Sequence, residues 1–168
     1  MAAAAERRRD LLIVSAAAAQ GQVNRDIFTR LLDSLADHEL LAPSDLAALP
    51  EAQRPRACRI KRGCVLARQR MWTEAVEAWR QAAAMDASPL SWLERDILAR
   101  SPNSALGAPE LFDNPEVRSG FADLSRQRLP GPQIADVVRR AARWHIRAAL
   151  QARDLRRVME GVRFMLGR

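Results

Sequence analysis

Four groups of residues in this 168-residue chain could do chemistry. They are the run Asp37, His38 and Glu39, the thiols Cys58 and Cys64, the second histidine His145, and arginines recurring every four residues at Arg139, Arg143 and Arg147. The acid and histidine run could hold a metal ion or shuttle a proton, but adjacent residues on a helix point in different directions and do not converge on one ion. A polar helix end is expected instead. Cys58 and Cys64 fall on one expected helix, about 9 Å of rise apart, beyond the reach of a disulfide. No second pair of Cys or His stands at ligand spacing beside them, so free thiols in a reducing compartment, the cytoplasm, are expected, with no metal or other cofactor. Arg68 lies one turn beyond Cys64 and would favour its thiolate, whereas burial opposes it, which leaves Cys64 a packing residue. His145, beside Trp144 on an otherwise apolar stripe, reads as a core histidine. Serine elbows, phosphate-cradling glycine loops and zinc-binding helix motifs are missing. The loop from Ser101 to Pro115 adds only Glu110, Asp113 and asparagines, so no enzyme is expected.

The arginines carry more information. Net charge is +7, and Lys61 is the only lysine. Seven cationic residues and no acid lie between Gln53 and Arg70, and nine arginines stand against Asp136, Asp154 and Glu160 from Pro132 to the end. The remainder is net acidic. Blocks of this kind read first as solvated helix faces, and could also meet nucleic acid, an anionic surface or an acidic protein. Arg139, Arg143 and Arg147 would form a stripe about 12 Å long on one helix. Arg140, Arg153, Arg156, Arg157 and Arg163 widen it into a patch that suits phosphate. No helix-turn-helix, stacking platform or zinc module accompanies it, so an acidic protein fits equally well.

These residues must be positioned by helices. Alanine and leucine dominate, tyrosine is absent, and no run alternates apolar and polar residues, so the class is all-α in one domain spanning residues 1–168. Arg7, Arg8 and Arg9 ahead of Leu11 to Ala19 imitate a secretory signal, but Glu6 and Asp10 interrupt it, and a retained first helix from Glu6 to Gln20 with Gly21 as its stop is expected. Asn24 caps a second helix striped by Ile27, Phe28, Leu31, Leu32 and Leu35, completing a hairpin over residues 1–41. Pro43 ends that unit, Ser44 caps a short turn through Leu49, and Pro50 and Pro55 bracket a connector. Helices then follow from Arg56 to Gln69 and from Trp72 to Met85, the latter burying Ala75, Val76, Trp79, Ala82 and Ala83. Ser88 and Pro89 open a helix with Leu90, Leu93, Ile97 and Leu98 that stops near Arg100. After the loop of residues 101–115, Asn114 and Pro115 start a helix carrying Val117, Phe121 and Leu124. A basic hairpin over residues 132–168 ends the chain. Ile134, Val137, Val138, Ala141, His145 and Ala148 stripe its first arm, Leu155, Val158, Met159, Val162 and Met165 its second, and the bend falls at Arg153 and Asp154. Of the four tryptophans, Trp92 lies off its stripe and is expected to be exposed. No apolar run reaches the length of a transmembrane helix.

Between Arg56 and Pro89, Gly63, Ala75 and Ala82 occupy small positions while Leu66, Trp72 and Trp79 occupy large ones, a pattern that resembles a tetratricopeptide repeat. Arg59 and Arg62 depart from the family's apolar positions, and Pro89 comes two residues late. Gln151 to Gly161 echoes a second copy without its helix-packing alanines. The resemblance implies antiparallel hairpins stacked as a short right-handed superhelix, with ligand meeting the inner face of the first helix at Ala57, Ile60, Cys64, Ala67 and Arg68, shaped by Trp72 and Trp79. Such an apolar face suits the nonpolar stripe of a partner helix. Ile60 and Cys64 stand where carboxylate-gripping members carry lysine and asparagine. Over about the first half of the chain, the layout is similar to the tetratricopeptide-like chaperones of bacterial type III secretion. This implies a non-catalytic chaperone or adaptor that holds a secreted or polymerising helical subunit; the alternative is an arginine-rich nucleic-acid-binding protein.

Overall fold

Apolar residues recurring at three- and four-residue intervals make one face of each segment oily, and each such segment folds as a helix against its neighbour. The structure, a computed structural model, describes residues 5–7, 9–10, 12–13, 25–100 and 114–166. Every regular element among them is helical, so the chain is all-α. Residues 5–7, 9–10 and 12–13 are helical. The rest of the expected first helix, the Gly21 stop, the Asn24 cap and residues 101–113 of the loop lie outside the described residues.

Helix α1 spans Arg25–Ser34, followed by a 3₁₀ turn at Asp37–Leu40, the short α2 at Pro43–Ala48 and a second 3₁₀ turn at Glu51–Gln53. Helices α3 (Arg54–Arg68), α4 (Trp72–Met85), α5 (Trp92–Ala99), α6 (Pro115–Arg126), α7 (Gly131–Gln151) and α8 (Leu155–Leu166) complete the order. Phe28, Leu32 and Leu35 bury the inner stripe of α1 and its exit, whereas Ile27, expected on that stripe, is 54% exposed. Pro43 occupies the first turn of α2 with Ala42 at the N-cap, so Ser44 is not the cap. Pro55 likewise sits in the first turn of α3, where its missing N–H costs nothing, so α3 begins at Arg54 instead of after the proline.

The start of α5 also differs from expectation. It opens at Trp92, because Ser91 caps it: the Ser91 hydroxyl accepts the Glu94 N–H at 3.4 Å while the Glu94 carboxylate accepts the Ser91 N–H at 2.8 Å. Ser88 is held in the preceding turn, its N–H donating to Asp86 Oδ1 at 2.8 Å. By contrast, Asn114 caps α6 as expected, its Oδ1 accepting the Glu116 and Val117 N–H groups.

Packing follows chain order except at α5. Helix α3 packs on α4, α4 on α6, α6 on α7, and α7 on α8, with α5 and the Asp37–Leu40 turn laid against α3. One continuous apolar core runs from Phe28 to Phe164. The α3/α4 crossing is tight at Gly63, where a Cβ atom would stand 2.4 Å from Trp79 Nε1. The indole N–H there donates to the Ile60 carbonyl at 3.3 Å. Phe121 carries contact onward from Trp79 (ring centroids 5.9 Å) to Phe164 (5.3 Å), linking α4, α6 and α8 through three rings.

Both tight bends use an arginine in the left-handed region, Arg70 with φ 58° between α3 and α4 and Arg153 with φ 56° between α7 and α8. The backbone bonds there, Asp154 N–H to the Ala149 carbonyl and Arg153 N–H to the Leu150 carbonyl, close the end of α7 in the way glycine usually does. An L side chain in that conformation is strained. Arg153→Gly is therefore expected to raise stability by about 0.5–1 kcal/mol in urea unfolding, whereas a loss would show that the Arg153 side chain itself holds the bend.

Candidate functional site

The inner face of α3, expected to be an open groove, is filled by the chain itself. Ala57, Ile60, Cys64 and Ala67 are buried, as are Trp72 and Trp79, and Arg68 alone of the seven is partly exposed. The occupants are close at hand: the Asp37–Leu40 turn and α5 both pack on α3, and Leu40, Leu41, Leu93, Ile97 and Leu98 are buried in the same core. An apolar stripe needs cover, and the nearest flanking segments supply it before any partner can. Arg68 Nη2 donates to the Arg100 carbonyl at 3.2 Å. These seven residues are therefore core and cover, not an accessible trough.

The N-terminal end of α3 carries a buried polar cluster that sequence reasoning missed. Arg56 and Glu94, 38 residues apart and both buried, form a two-pronged ion pair, Nε to Oε1 at 2.6 Å and Nη2 to Oε2 at 2.8 Å. The remaining guanidinium donors reach the carbonyls of Asp86, Ser88 and Pro89. Glu94 in turn accepts the Ser91 N–H and hydroxyl, each at 2.8 Å. Every polar atom is matched, which leaves nothing free for substrate and marks the pair as a joint between α3 and the α4–α5 connection. The S-x-x-E spacing of Ser91 and Glu94 was the available signal for half of it.

The other chemically suggestive groups are likewise engaged. The buried Glu39 carboxylate accepts a hydrogen bond from Arg7 Nη2 at 2.6 Å and one from the Ala36 N–H at 2.9 Å, and these, Arg7 first, hold its pKa below the usual carboxylate value. His38 is exposed, and among the described residues no group of His, Cys, Asp and Glu could hold a metal ion. Cys58 and Cys64 are buried free thiols. Burial, then repulsion from Arg68, lowers the pKa of Lys61. A cleft of about 400 Å³ between α4 and α6 is bordered by Glu77, Arg80, Glu116 and Asp123, but Glu77 already pairs with Arg80 and Asp123 with Arg126. The side chains of Trp144 and His145 lie outside the described residues.

The arginines of the expected patch lie on the last two helices and the bend between them. Arg140 pairs with Asp136 at 3.4 Å and Arg157 with Asp154 at 3.3 Å, while Arg139 donates to the Ser125 hydroxyl on α6. Arg143, Arg147 and Arg153 are exposed.

On α8 is an apolar surface of which Leu155, Met159 and Val162 were expected on the packing stripe of that arm and Leu166 was not. Helix α8 rests on α7 where Gly161 lets the backbone approach Ile146, and on α6 through Phe164. That contact uses one side of a helix that is apolar on two. Leu155, Met159 and Leu166 remain 72%, 53% and 65% exposed, with Val162 half-buried between them. Spacings of four, three and four residues align these four side chains into one seam about 16 Å long, the pattern of a two-heptad coiled-coil edge. Elsewhere Trp92 is 75% exposed, as expected from its position off the α5 stripe.

No helix among the described residues is long and apolar enough to cross a membrane. The chain matches no protein-family model, no curated protein and no solved structure.

Proposed function

We propose that the chain is a non-catalytic adaptor or chaperone, built on a tetratricopeptide-like helical stack, that holds an amphipathic helix of another protein. The receiving surface is the α8 seam, in place of the inner face of α3. The observation that carries this reading is the exposure of Leu155, Met159 and Leu166 at heptad spacing on a helix already committed to a hairpin. An apolar seam of this regularity on an arm of a helical stack is a surface on which a further helix can dock, as in repeat arrays. A secreted or polymerising helical subunit is a suitable occupant, and the setting is the cytoplasm, where Cys58 and Cys64 stay reduced.

A partner recovered from lysate of the native host should persist at high salt, because the seam is apolar, and should be lost with Met159→Asp. That substitution places a charge in the middle of the buried contact and should weaken capture by at least about 2 kcal/mol, roughly thirtyfold. Met159 is half exposed in the free chain, so stability should stay within about 0.5 kcal/mol of the parent. Undiminished capture by Met159→Asp would overturn the reading. Recovery of nucleic acid alone, released as salt rises, would instead favour phosphate binding along Arg143 and Arg147.

A further inference from the structure

Resting on the adaptor reading, we infer that the occupant of the α8 seam is an acidic amphipathic helix, with carboxylates flanking its apolar stripe. The seam is bordered on the polar side of α8 by Arg156 and Arg163, seven residues and about 10 Å apart, two turns along one edge. Both are exposed. Arg156 shares its charge with Glu160 at 2.8 Å, and Glu160 is the only acid within α8. Elsewhere on the hairpin Arg143, Arg147 and Arg153 are exposed and add to its positive charge.

Charge decides among occupants. A second copy would bring nine arginines and three acids from residues 132–168 against the same set, so two seams repel as they approach. A basic or neutral helix gains nothing from the rim. An acidic helix pairs with it while its leucine-type residues cover Leu155, Met159, Val162 and Leu166. The rim then sets partner choice as e and g positions do in a coiled coil, and the seam sets register. An anionic lipid surface shares the charge preference but demands no heptad register, so the spacing favours a helix.

Two labelled peptides of about four heptads test this on the full chain, both with leucine seams, one flanked throughout by glutamate and the other by lysine. The glutamate peptide should bind roughly tenfold more tightly than the lysine peptide in fluorescence anisotropy, and the gap should narrow with salt. The double variant R156E/R163E should reverse the order, and M159D should lose both peptides while its circular dichroism stays that of the parent. Equal binding of the two peptides would overturn the acidic preference and leave the adaptor reading standing. Failure of both peptides would overturn the two readings together, whether the chain then binds phosphatidylserine vesicles or sediments as a dimer that M159D disperses.

Discussion

Glu94→Ala is expected to cost about 3–5 kcal/mol and to lower the melting midpoint by roughly 10 °C. The reason is asymmetry. The Arg56–Glu94 pair is buried on both sides, so removing the carboxylate leaves a guanidinium in the core that cannot recover its hydration. Asp86 lies 3.3 Å from Arg56 Nη1, but it is nearly half exposed and is also bound to Ser88, so it compensates only in part. The same substitution removes the capping box of α5, because Glu94 accepts the Ser91 N–H and hydroxyl. That second loss adds about 1 kcal/mol.

Joint replacement separates the two effects. Arg56→Met with Glu94→Leu removes both charges and should cost less than the sum of the single losses, by a coupling of about 2–3 kcal/mol. Urea unfolding of the four proteins measures it. A loss below about 1 kcal/mol for Glu94→Ala would show that water or a rearranged Asp86 takes over the guanidinium, and that the joint between α3 and the α4–α5 connection is not held by this pair.

The sequence made some of this legible, and physics explains the division. Local signals worked where one residue type answers one backbone need. Asn114 followed by Pro115 names a cap and a first turn, and both are where expected. Trp92 lies off the periodic stripe and is exposed. Between Asp86 and Glu94 two capping signals compete within four residues, Ser88 with Pro89 and Ser91 with Glu94. The second prevails because its glutamate serves Arg56 as well as the cap. That partnership crosses 38 residues and leaves no local periodicity to read.

The groove was illegible for a different reason. Periodicity reports which face of a helix is apolar, and it is silent on whether this chain or another one covers that face. The stripes of α3 and α8 look alike as sequence. In the fold the first lies under the Asp37–Leu40 turn and α5, and among the described residues the second packs chiefly on α7 and reaches α6 through Phe164. A residual clue lies in width. Phe164 and Gly161 define one apolar side of α8, and Leu155, Met159, Val162 and Leu166 define another, more than one hairpin contact can use.

Gly63→Ala is the second large effect, an expected loss of about 2–3 kcal/mol despite alanine's better helix propensity. On an exposed helix the same change would gain nearly 1 kcal/mol. Here the new methyl would lie 2.4 Å from Trp79 Nε1, 2.6 Å from Cδ1 and 2.8 Å from Cε2. The indole has no empty side to move toward, being fully buried, hydrogen-bonded to the Ile60 carbonyl and stacked obliquely on Phe121. Helices α3 and α4 must therefore separate, and the strain is that of an overfilled core. The companion measurement is Gly63→Ala in a Trp79→Leu background, where the obstructing ring is gone and the alanine should be neutral or stabilising. A coupling of at least about 2 kcal/mol between positions 63 and 79 is the expected result. Simple additivity would mean that the crossing of α3 and α4 is set elsewhere, and that the small residue at 63 is not what brings the two helices together.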